Sequence, residues 1–156
     1  MAPSIVPHNL DLQKARHRAE KSGWTEWARG ERLSFKVSNR PDAVARDANG
    51  ALVAIELERT VKTLKRYRQI MTAHLQQIKA EKWSRVEYVN PQESMVPRLG
   101  KIFRKIDYVL VSKQRVSVWD KHQAKFSFHH LARWPPSTQK NIKITRKYLL
   151  NRIIIP

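Results

Sequence analysis

The positions of apolar and polar residues along residues 1–120 predict three helices and six strands. Apolar residues recur at helical spacing in the predicted helices, whereas short apolar runs bounded by turn residues mark the strands. The helices are predicted over residues 9–22, 60–83 and 96–106. The strands are predicted over residues 33–37, 42–46, 51–58, 85–89, 108–111 and 116–119.

This order of elements predicts a mixed sheet with helices on both faces, in the α/β (α+β) class. The long helix over residues 60–83 joins the strand at 51–58 to the strand at 85–89. A connection of that length suits a right-handed crossover between parallel neighbours.

The chain is expected to form a single domain. Residues 1–120 are predicted to be its core, and residues 121–156 a C-terminal appendage packed on that core. Within this appendage, residues 134–137 (Trp-Pro-Pro-Ser) form a break, after which a helix is predicted over residues 138–150 and an apolar end over residues 153–155.

Carboxylates are concentrated at the end of the predicted hairpin. Glu56 and Glu58 project from the same side of their strand, because successive side chains alternate between faces. The turn at residues 47–50 brings Asp42 opposite Ile55 or Glu56, two registers that the sequence leaves open. Burying such charges costs several kcal/mol each unless a cation compensates. Three carboxylates at one edge form the oxygen-rich kind of pocket that binds Mg²⁺ or Mn²⁺.

The charge balance indicates a polyanionic partner. Lys and Arg number 31 against 13 acidic residues, a formal net charge of +18, and the basic residues are spread over the whole chain. Such an excess attracts nucleic acid, with an anionic membrane or an acidic protein as weaker alternatives. Clustered carboxylates oppose phosphate binding unless a metal ion bridges the two, which strengthens the metal-site hypothesis.

Composition also excludes several classes of site. The chain has no cysteine, which rules out disulfides, zinc–thiolate sites and a cysteine nucleophile. No apolar run approaches the length of about 18 residues needed for a membrane span, and the N-terminus lacks a signal-peptide core. A cytoplasmic protein is therefore expected.

Two short motifs resemble the PD-(D/E)xK nuclease superfamily. Pro41-Asp42 matches its Pro-Asp element, and residues 56–58 (Glu-Leu-Glu) match its (D/E)xK element, with Glu58 where Lys is usual. The resemblance implies an α-β-β-β-α-β core and metal-binding carboxylates on the second and third strands. Some members of this family use Glu at the position of that Lys or supply the Lys from the following helix, where Lys62 or, second, Lys65 could fill the role. The extra acid that the family often takes from its first helix would be Glu20 or Glu31.

A longer segment, from His8 to Tyr67, is similar to replication–relaxation proteins and to relaxases of the plasmid mobilisation protein C type. The similar pieces are HNL at residues 8–10, GERL at 30–33, RPDAV at 40–44 and AIELERTVKTLKRY at 54–67. This resemblance implies a DNA target that is nicked or relaxed during mobilisation, conjugation or replication. It also implies relaxosome or replication proteins as partners, and cutting of both strands would favour a homodimer.

Phosphodiester chemistry assigns a role to each of these residues in a metal-dependent endonuclease. Asp42 and Glu56 would hold one or two Mg²⁺ or Mn²⁺ ions, and Glu58 would be a further ligand or the base that accepts a proton from water. Lys62 would stabilise the pentacovalent oxyanion. The residues expected to contact nucleic acid are Arg40, Arg59, Lys65, Arg66 and Arg68.

Three alternatives remain open at the level of the sequence. Glu56 and Glu58 could be solvated strand-end residues that pair with Arg59 and Lys62. The whole protein could be a basic DNA-binding accessory protein of a relaxosome or replication complex, with a catalytically silent nuclease fold. An RNA- or ribosome-associated protein also fits the charge, but it gives no use for the hairpin acids.

Overall fold

The computed structural model describes residues 5–137, which form a mixed five-stranded sheet with helices on both faces. The strand order is β1-β2-β3-β4-β7, and a separate two-stranded sheet pairs β5 with β6. The predicted mixed α/β (α+β) fold is therefore confirmed. The helices are α1 (Ile5–Lys21), α2 (Leu64–Lys79), α3 (Met95–Arg104) and the single turn α4 (Asp120–Gln123). The strands are β1 (Thr25–Arg29), β2 (Ala43–Arg46), β3 (Leu52–Leu57), β4 (Arg85–Asn90), β5 (Tyr108–Val111), β6 (Gln114–Ser117) and β7 (Phe126–His130).

The hairpin of β2 and β3 forms as predicted, and its register resolves the position of Asp42. Ala43 pairs with Ile55 and Arg46 with Leu52 in an antiparallel ladder. Extending that register by one residue sets Asp42 across from Glu56, rather than from Ile55.

The long helix makes the predicted crossover. Strands β3 and β4 are parallel neighbours joined through α2, and β7 adds a further parallel strand beside β4. Side chains of α2 and α3 pack on one face of the sheet, where Tyr67, Met71 and Phe103 lie in the core. Helix α1 packs on the other face through Leu12, Ala15 and Ala19. The sheet is thus covered on both faces, as its parallel part requires.

The first strand of the sheet is not where the sequence predicted it. Residues 33–37 form an irregular segment, and Thr25–Arg29 supplies β1 instead. The alternation that suggested a strand is nevertheless real, because Leu33, Phe35 and Val37 are half-buried against the core beside α2. An extended segment that lies on a core without pairing to a strand produces the same pattern as a true strand.

Helix α2 is shorter than predicted at both ends. It begins after Thr63, whose hydroxyl accepts a hydrogen bond from Arg66 N, and not after Thr60. It ends at Lys79, and Glu81 has a φ of 60°, a left-handed conformation that stops the helix before residue 83.

The C-terminal region is more closely integrated than an appendage. Strand β7 belongs to the central sheet, although it lies beyond the predicted core boundary at residue 120. Trp134 is fully buried and packs on Trp24 with ring centroids 5.0 Å apart. The predicted helix over residues 138–150 and the apolar end at residues 153–155 lie outside the described residues. Within residues 5–137, no helix has the length and apolar composition needed to cross a bilayer.

Candidate active-site cleft

A cleft of about 610 Å³ opens at the carboxyl end of β3, between the N-terminal part of α1 and the segment that leads into α2. It contains all four residues predicted to be catalytic, one from β3 and three from the segments just before β2 and just after β3. These are Asp42, Glu56, Glu58 and Lys62. Because the antiparallel pairing of β2 with β3 sets Asp42 beside Glu56, the hairpin itself assembles the acidic side of this cleft.

Asp42 is fixed from both its backbone and its side chain. Gly30 N donates a hydrogen bond to the Asp42 carbonyl over 3.1 Å, and a Cβ atom on Gly30 would lie only 1.7 Å from the Pro41 carbonyl oxygen. The close approach therefore requires glycine. Asp42 Oδ2 accepts a hydrogen bond from Leu57 N over 2.7 Å, which ties the carboxylate across the hairpin.

The other oxygen of Asp42 contacts a histidine of α1. His8 Nε2 lies 3.3 Å from Asp42 Oδ1. The hydrogen bond to Asp42 raises the pKa of His8, although burial acts in the opposite direction. A protonated His8 is thus favoured while Asp42 is ionised.

Glu56 forms a buried pair with a histidine of α2. His74 Nε2 lies 2.7 Å from Glu56 Oε1, and Asn39 Nδ2 donates to the same oxygen over 3.3 Å. Burial raises the pKa of Glu56, and the His74 hydrogen bond only partly offsets this effect. Among the described residues, Glu56 Oε2 receives no hydrogen bond. That oxygen is free to bind a ligand in the cleft.

Glu58 is buried and organises the loop that carries Lys62. Lys62 Nζ lies 2.7 Å from each Glu58 oxygen, and the Tyr67 hydroxyl donates to Glu58 Oε2 over 3.0 Å. The same hydroxyl accepts a hydrogen bond from Lys62 N over 3.0 Å. Burial raises the pKa of Tyr67 well above its usual value, with the Glu58 carboxylate acting in the same direction, so the hydroxyl stays protonated and donates. Lys62 reaches the strand end from the loop before α2, and not from one turn inside that helix as predicted.

The oxygen donors of the cleft meet only part of the requirements of a divalent metal ion. Residues 5–137 contain no group of three or more His, Asp or Glu side chains arranged to hold one ion, so the predicted three-carboxylate set is not assembled in that form. Both oxygens of Glu58 are engaged by Lys62. Asp42, just before β2, and Glu56, on β3, remain as hard oxygen donors lining the cleft, and a metal ion there would share Asp42 with Leu57 N and His8 Nε2. Two carboxylates fit Mg²⁺ or Mn²⁺ when a phosphate and water complete the coordination.

The extra acid expected from the first helix is not at the cleft. Glu20 is exposed and pairs with Arg16, and Glu31 is exposed and pairs with Arg29. Neither lines the cleft, and α1 contributes His8 there instead. The helix was correctly predicted, but the sequence analysis selected for acids and therefore missed the histidine of the HNL motif.

The five residues predicted to contact nucleic acid differ in their partners and positions in the structure. Arg40 donates to the Gly30 and Leu33 carbonyls and holds the segment before β2. Arg59 pairs with the buried carboxylate of Asp11 at the edge of the cleft. The other three, Lys65, Arg66 and Arg68, line a groove beside the cleft.

Sequence reasoning missed three further residues that support the carboxylates of the cleft: Asn39, Tyr67 and His74. Tyr67 and His74 lie seven positions apart on α2 and flank Ile70 and Met71, so all four belong to its buried face. A polar residue in helical register with buried apolar residues is the signal that could have identified both.

Comparisons with known proteins add no name to this site. No protein-family profile, no characterised protein and no solved structure matches the chain. Membership of the PD-(D/E)xK superfamily, and the likeness to plasmid mobilisation protein C, therefore stay predictions from the motifs.

Proposed function

We propose that this protein is a metal-dependent DNA endonuclease or nickase of the PD-(D/E)xK type. The observation that carries the proposal is the gathering of Asp42, Glu56, Glu58 and Lys62 around one cleft. The hairpin and crossover that bring them together are the arrangement that the motif resemblance implies. The net charge of +18 supports a nucleic-acid substrate.

The residues of the cleft have separable roles in this proposal. Asp42 and the free oxygen of Glu56 would hold the Mg²⁺ or Mn²⁺ ion, which supplies water activation and offsets charge on the scissile phosphate. Glu58 positions Lys62 through its two contacts of 2.7 Å. The Lys62 ammonium, which is exposed on one side, supplies the positive charge for the developing oxyanion.

His8 and His74 each contact one of the two acids that would hold the metal ion. Each imidazole can donate a hydrogen bond to that carboxylate when no cation is bound. Both histidines therefore limit the cost of keeping two carboxylates side by side in a partly buried cleft.

The same contacts favour the second candidate, a catalytically silent DNA-binding accessory protein. Each of the three cleft acids has a cationic or titratable partner from the chain itself, namely His8, His74 or Lys62. Such pairing stabilises the acids without a metal ion. A role in plasmid mobilisation, DNA relaxation or replication, with relaxosome or replication proteins as partners, is compatible with both candidates and rests on the resemblance.

Conversion of supercoiled plasmid to relaxed circles tests the nuclease proposal. The wild type is expected to nick plasmid with Mg²⁺ or Mn²⁺ and to stop in EDTA. Lys62→Ala is expected to lower the rate about 100-fold, because it removes the charge that faces the oxyanion. Glu56→Gln should abolish nicking, while Glu20→Gln, which changes an exposed acid outside the cleft, should leave it unchanged. Equal rates for wild type and Glu56→Gln, with both proteins folded, would favour the silent binding protein.

A further inference from the structure

We propose that an unpaired polynucleotide strand leaves the cleft through the groove along the N-terminal half of α2. This inference rests on the proposed function for the role of the cleft, but the strand-binding surface is a separate set of residues. The groove encloses about 500 Å³ and is bounded by α2, by the segment before β2 and by β5. We call it the α2 groove, and the residues that matter for the argument are Asn39, Lys65, Arg66, Arg68 and Leu110.

The α2 groove is continuous with the candidate active site. Asn39 and Arg66 line both the cleft and the groove. Arg66 Nη2 donates to Asn39 Oδ1 over 3.4 Å, and Asn39 in turn donates to Glu56. A polynucleotide with one phosphate bound at Asp42 and Glu56 would therefore pass Arg66 as it leaves the cleft.

The charge of the groove is positive and uncompensated. Its charged residues, Lys65, Arg66 and Arg68, are all cationic. Within the described residues, the hydrogen bonds of the two arginines go to neutral groups, those of Arg66 to Gln69 and Asn39 and that of Arg68 to the Tyr108 carbonyl. By contrast, Arg59 at the other edge of the cleft is paired with Asp11. The groove thus offers three cations without acidic partners among the described residues, all within one turn of α2, and such cations bind backbone phosphates.

A guanidinium–aromatic stack on β5 and β6 adjoins these cations through Arg68. The guanidinium carbons of Arg68 and Arg115 each lie 4.2 Å from the centre of the Tyr108 ring. Leu110, two residues further along β5, is half exposed and lines the groove. Guanidinium planes, aromatic rings and apolar side chains are the groups on which unpaired bases stack.

These features select a single strand over a duplex. In a duplex the base faces are covered by neighbouring bases, so only the phosphates could use the groove. A single strand can use both the cations and the stacking surface. An acidic peptide would match the charge but would leave the Arg–Tyr–Arg surface and Leu110 without a complementary partner.

Fluorescence anisotropy with labelled oligothymidylate tests the inference, with oligouridylate and a duplex of equal length as parallel probes. Binding is measured in EDTA, so that no metal ion or cleavage is needed and a failure of the nuclease proposal does not affect the result. Lys65→Gln and Arg66→Gln each remove one charge from the groove. Lys21→Gln, at the exposed end of α1 on the other face of the sheet, is the matched control.

The wild type is expected to bind a single strand more tightly than the duplex. Each groove variant should lower the salt-dependence slope by about 0.7 and weaken binding about fivefold near 0.1 M salt, because one phosphate contact is lost. If the groove variants weaken the binding of only one of the two oligonucleotides, oligothymidylate or oligouridylate, the result identifies the preferred sugar and supports the inference. Equal weakening by Lys21→Gln, tighter binding of the duplex, or equal competition by oligoglutamate would overturn it.

Discussion

The least ordinary pair in the molecule is Glu56 with His74. His74 is completely buried, and its Nδ1 atom has no hydrogen-bond partner among the described residues. Its Nε2 atom lies 2.7 Å from Glu56 Oε1, which is the ring's one hydrogen bond among the described residues. Rings of Trp83 and Phe126 pack near His74 and keep water from it.

This arrangement predicts that neutralising Glu56 stabilises the protein. Burial raises the pKa of Glu56 above its ordinary 4.5, so the folded state binds a proton more tightly than the unfolded state. The resulting stability is fully present below pH 4.5 and is lost as the pH rises through the higher folded-state pKa. Glu56→Gln keeps an acceptor for His74 without the charge. Thermal unfolding should show a higher Tm for Glu56→Gln at pH 7, by a few degrees, and equal values below about pH 4.

A matched control is available in the same helix–strand neighbourhood. Glu81→Gln also removes one negative charge, but Glu81 is exposed, so the Tm of this variant should not rise above that of the wild type. A Tm for Glu56→Gln at or below that of the wild type at pH 7 would mean that the Glu56 carboxylate is stabilising, contrary to its raised pKa.

At the scale of elements, the turn between β2 and β3 is fixed by Asp47. Its Oδ1 accepts hydrogen bonds from Asn49 N and Ala51 N, each over 2.9 Å, and its Oδ2 lies 2.8 Å from Arg85 Nη1 on β4. One carboxylate thus closes the turn and connects the hairpin to the next strand. Gly50, with a φ of +85°, completes the turn.

Asp47→Ala is expected to lower the free energy of unfolding by about 1–3 kcal/mol, because it leaves two backbone donors without their acceptor and Arg85 with only Glu87 as a partner. Burial alone would raise the pKa of Asp47, but the Ala51 and Arg85 hydrogen bonds bring it below its ordinary 3.8. The contribution is therefore present above pH 3.8 and is lost as pH falls through the lower folded-state pKa.

Urea unfolding at neutral and acid pH measures this effect. Asn49→Ala is the control. Asn49 is exposed and contributes only its backbone N–H to the turn, so this variant should unfold like the wild type. Equal stability of Asp47→Ala and Asn49→Ala at neutral pH would show that the Asp47 contacts add nothing to the hairpin.

The same hairpin shows what a sequence can and cannot predict. Its strands, turn and face were predictable, because the turn residues and the alternation from Ala51 to Leu57 are local signals. The true first strand, Thr25–Arg29, was missed, because its residues are mostly exposed and are recognised only by their pairing with β2. The start of α2 was misplaced by one turn, because Thr60 and Thr63 are equally good caps and the choice depends on tertiary contacts.

At the scale of the whole molecule, the acids and the bases are used differently. All 13 acidic residues lie within residues 5–137, and ten of them are within salt-bridge distance of a Lys, Arg or His nitrogen. Most negative charge is therefore compensated locally. The excess of Lys and Arg is left on the surface, where it can attract a polyanion from a distance.

The carboxylates of the candidate site were predictable from their types and spacing, whereas their partners were not. Asp42, Glu56 and Glu58 are close in sequence, so a hairpin brings them together. His8 and His74 come from two helices on opposite faces of the sheet, and their approach to Asp42 and Glu56 depends on the packing of the whole domain. Strand β7 was missed for the same reason, because its partner β4 lies far away along the chain.

The central claim is that Asp42 and Glu56 are held together to bind a divalent ion beside a phosphodiester. Mn²⁺ titration followed by electron paramagnetic resonance tests it directly, without relying on activity. We predict that the wild type binds Mn²⁺, that Asp42→Asn and Glu56→Gln each lose this binding, and that Glu20→Gln retains it. Absence of Mn²⁺ binding by the folded wild type, or unchanged binding by Asp42→Asn and Glu56→Gln, would contradict the claim.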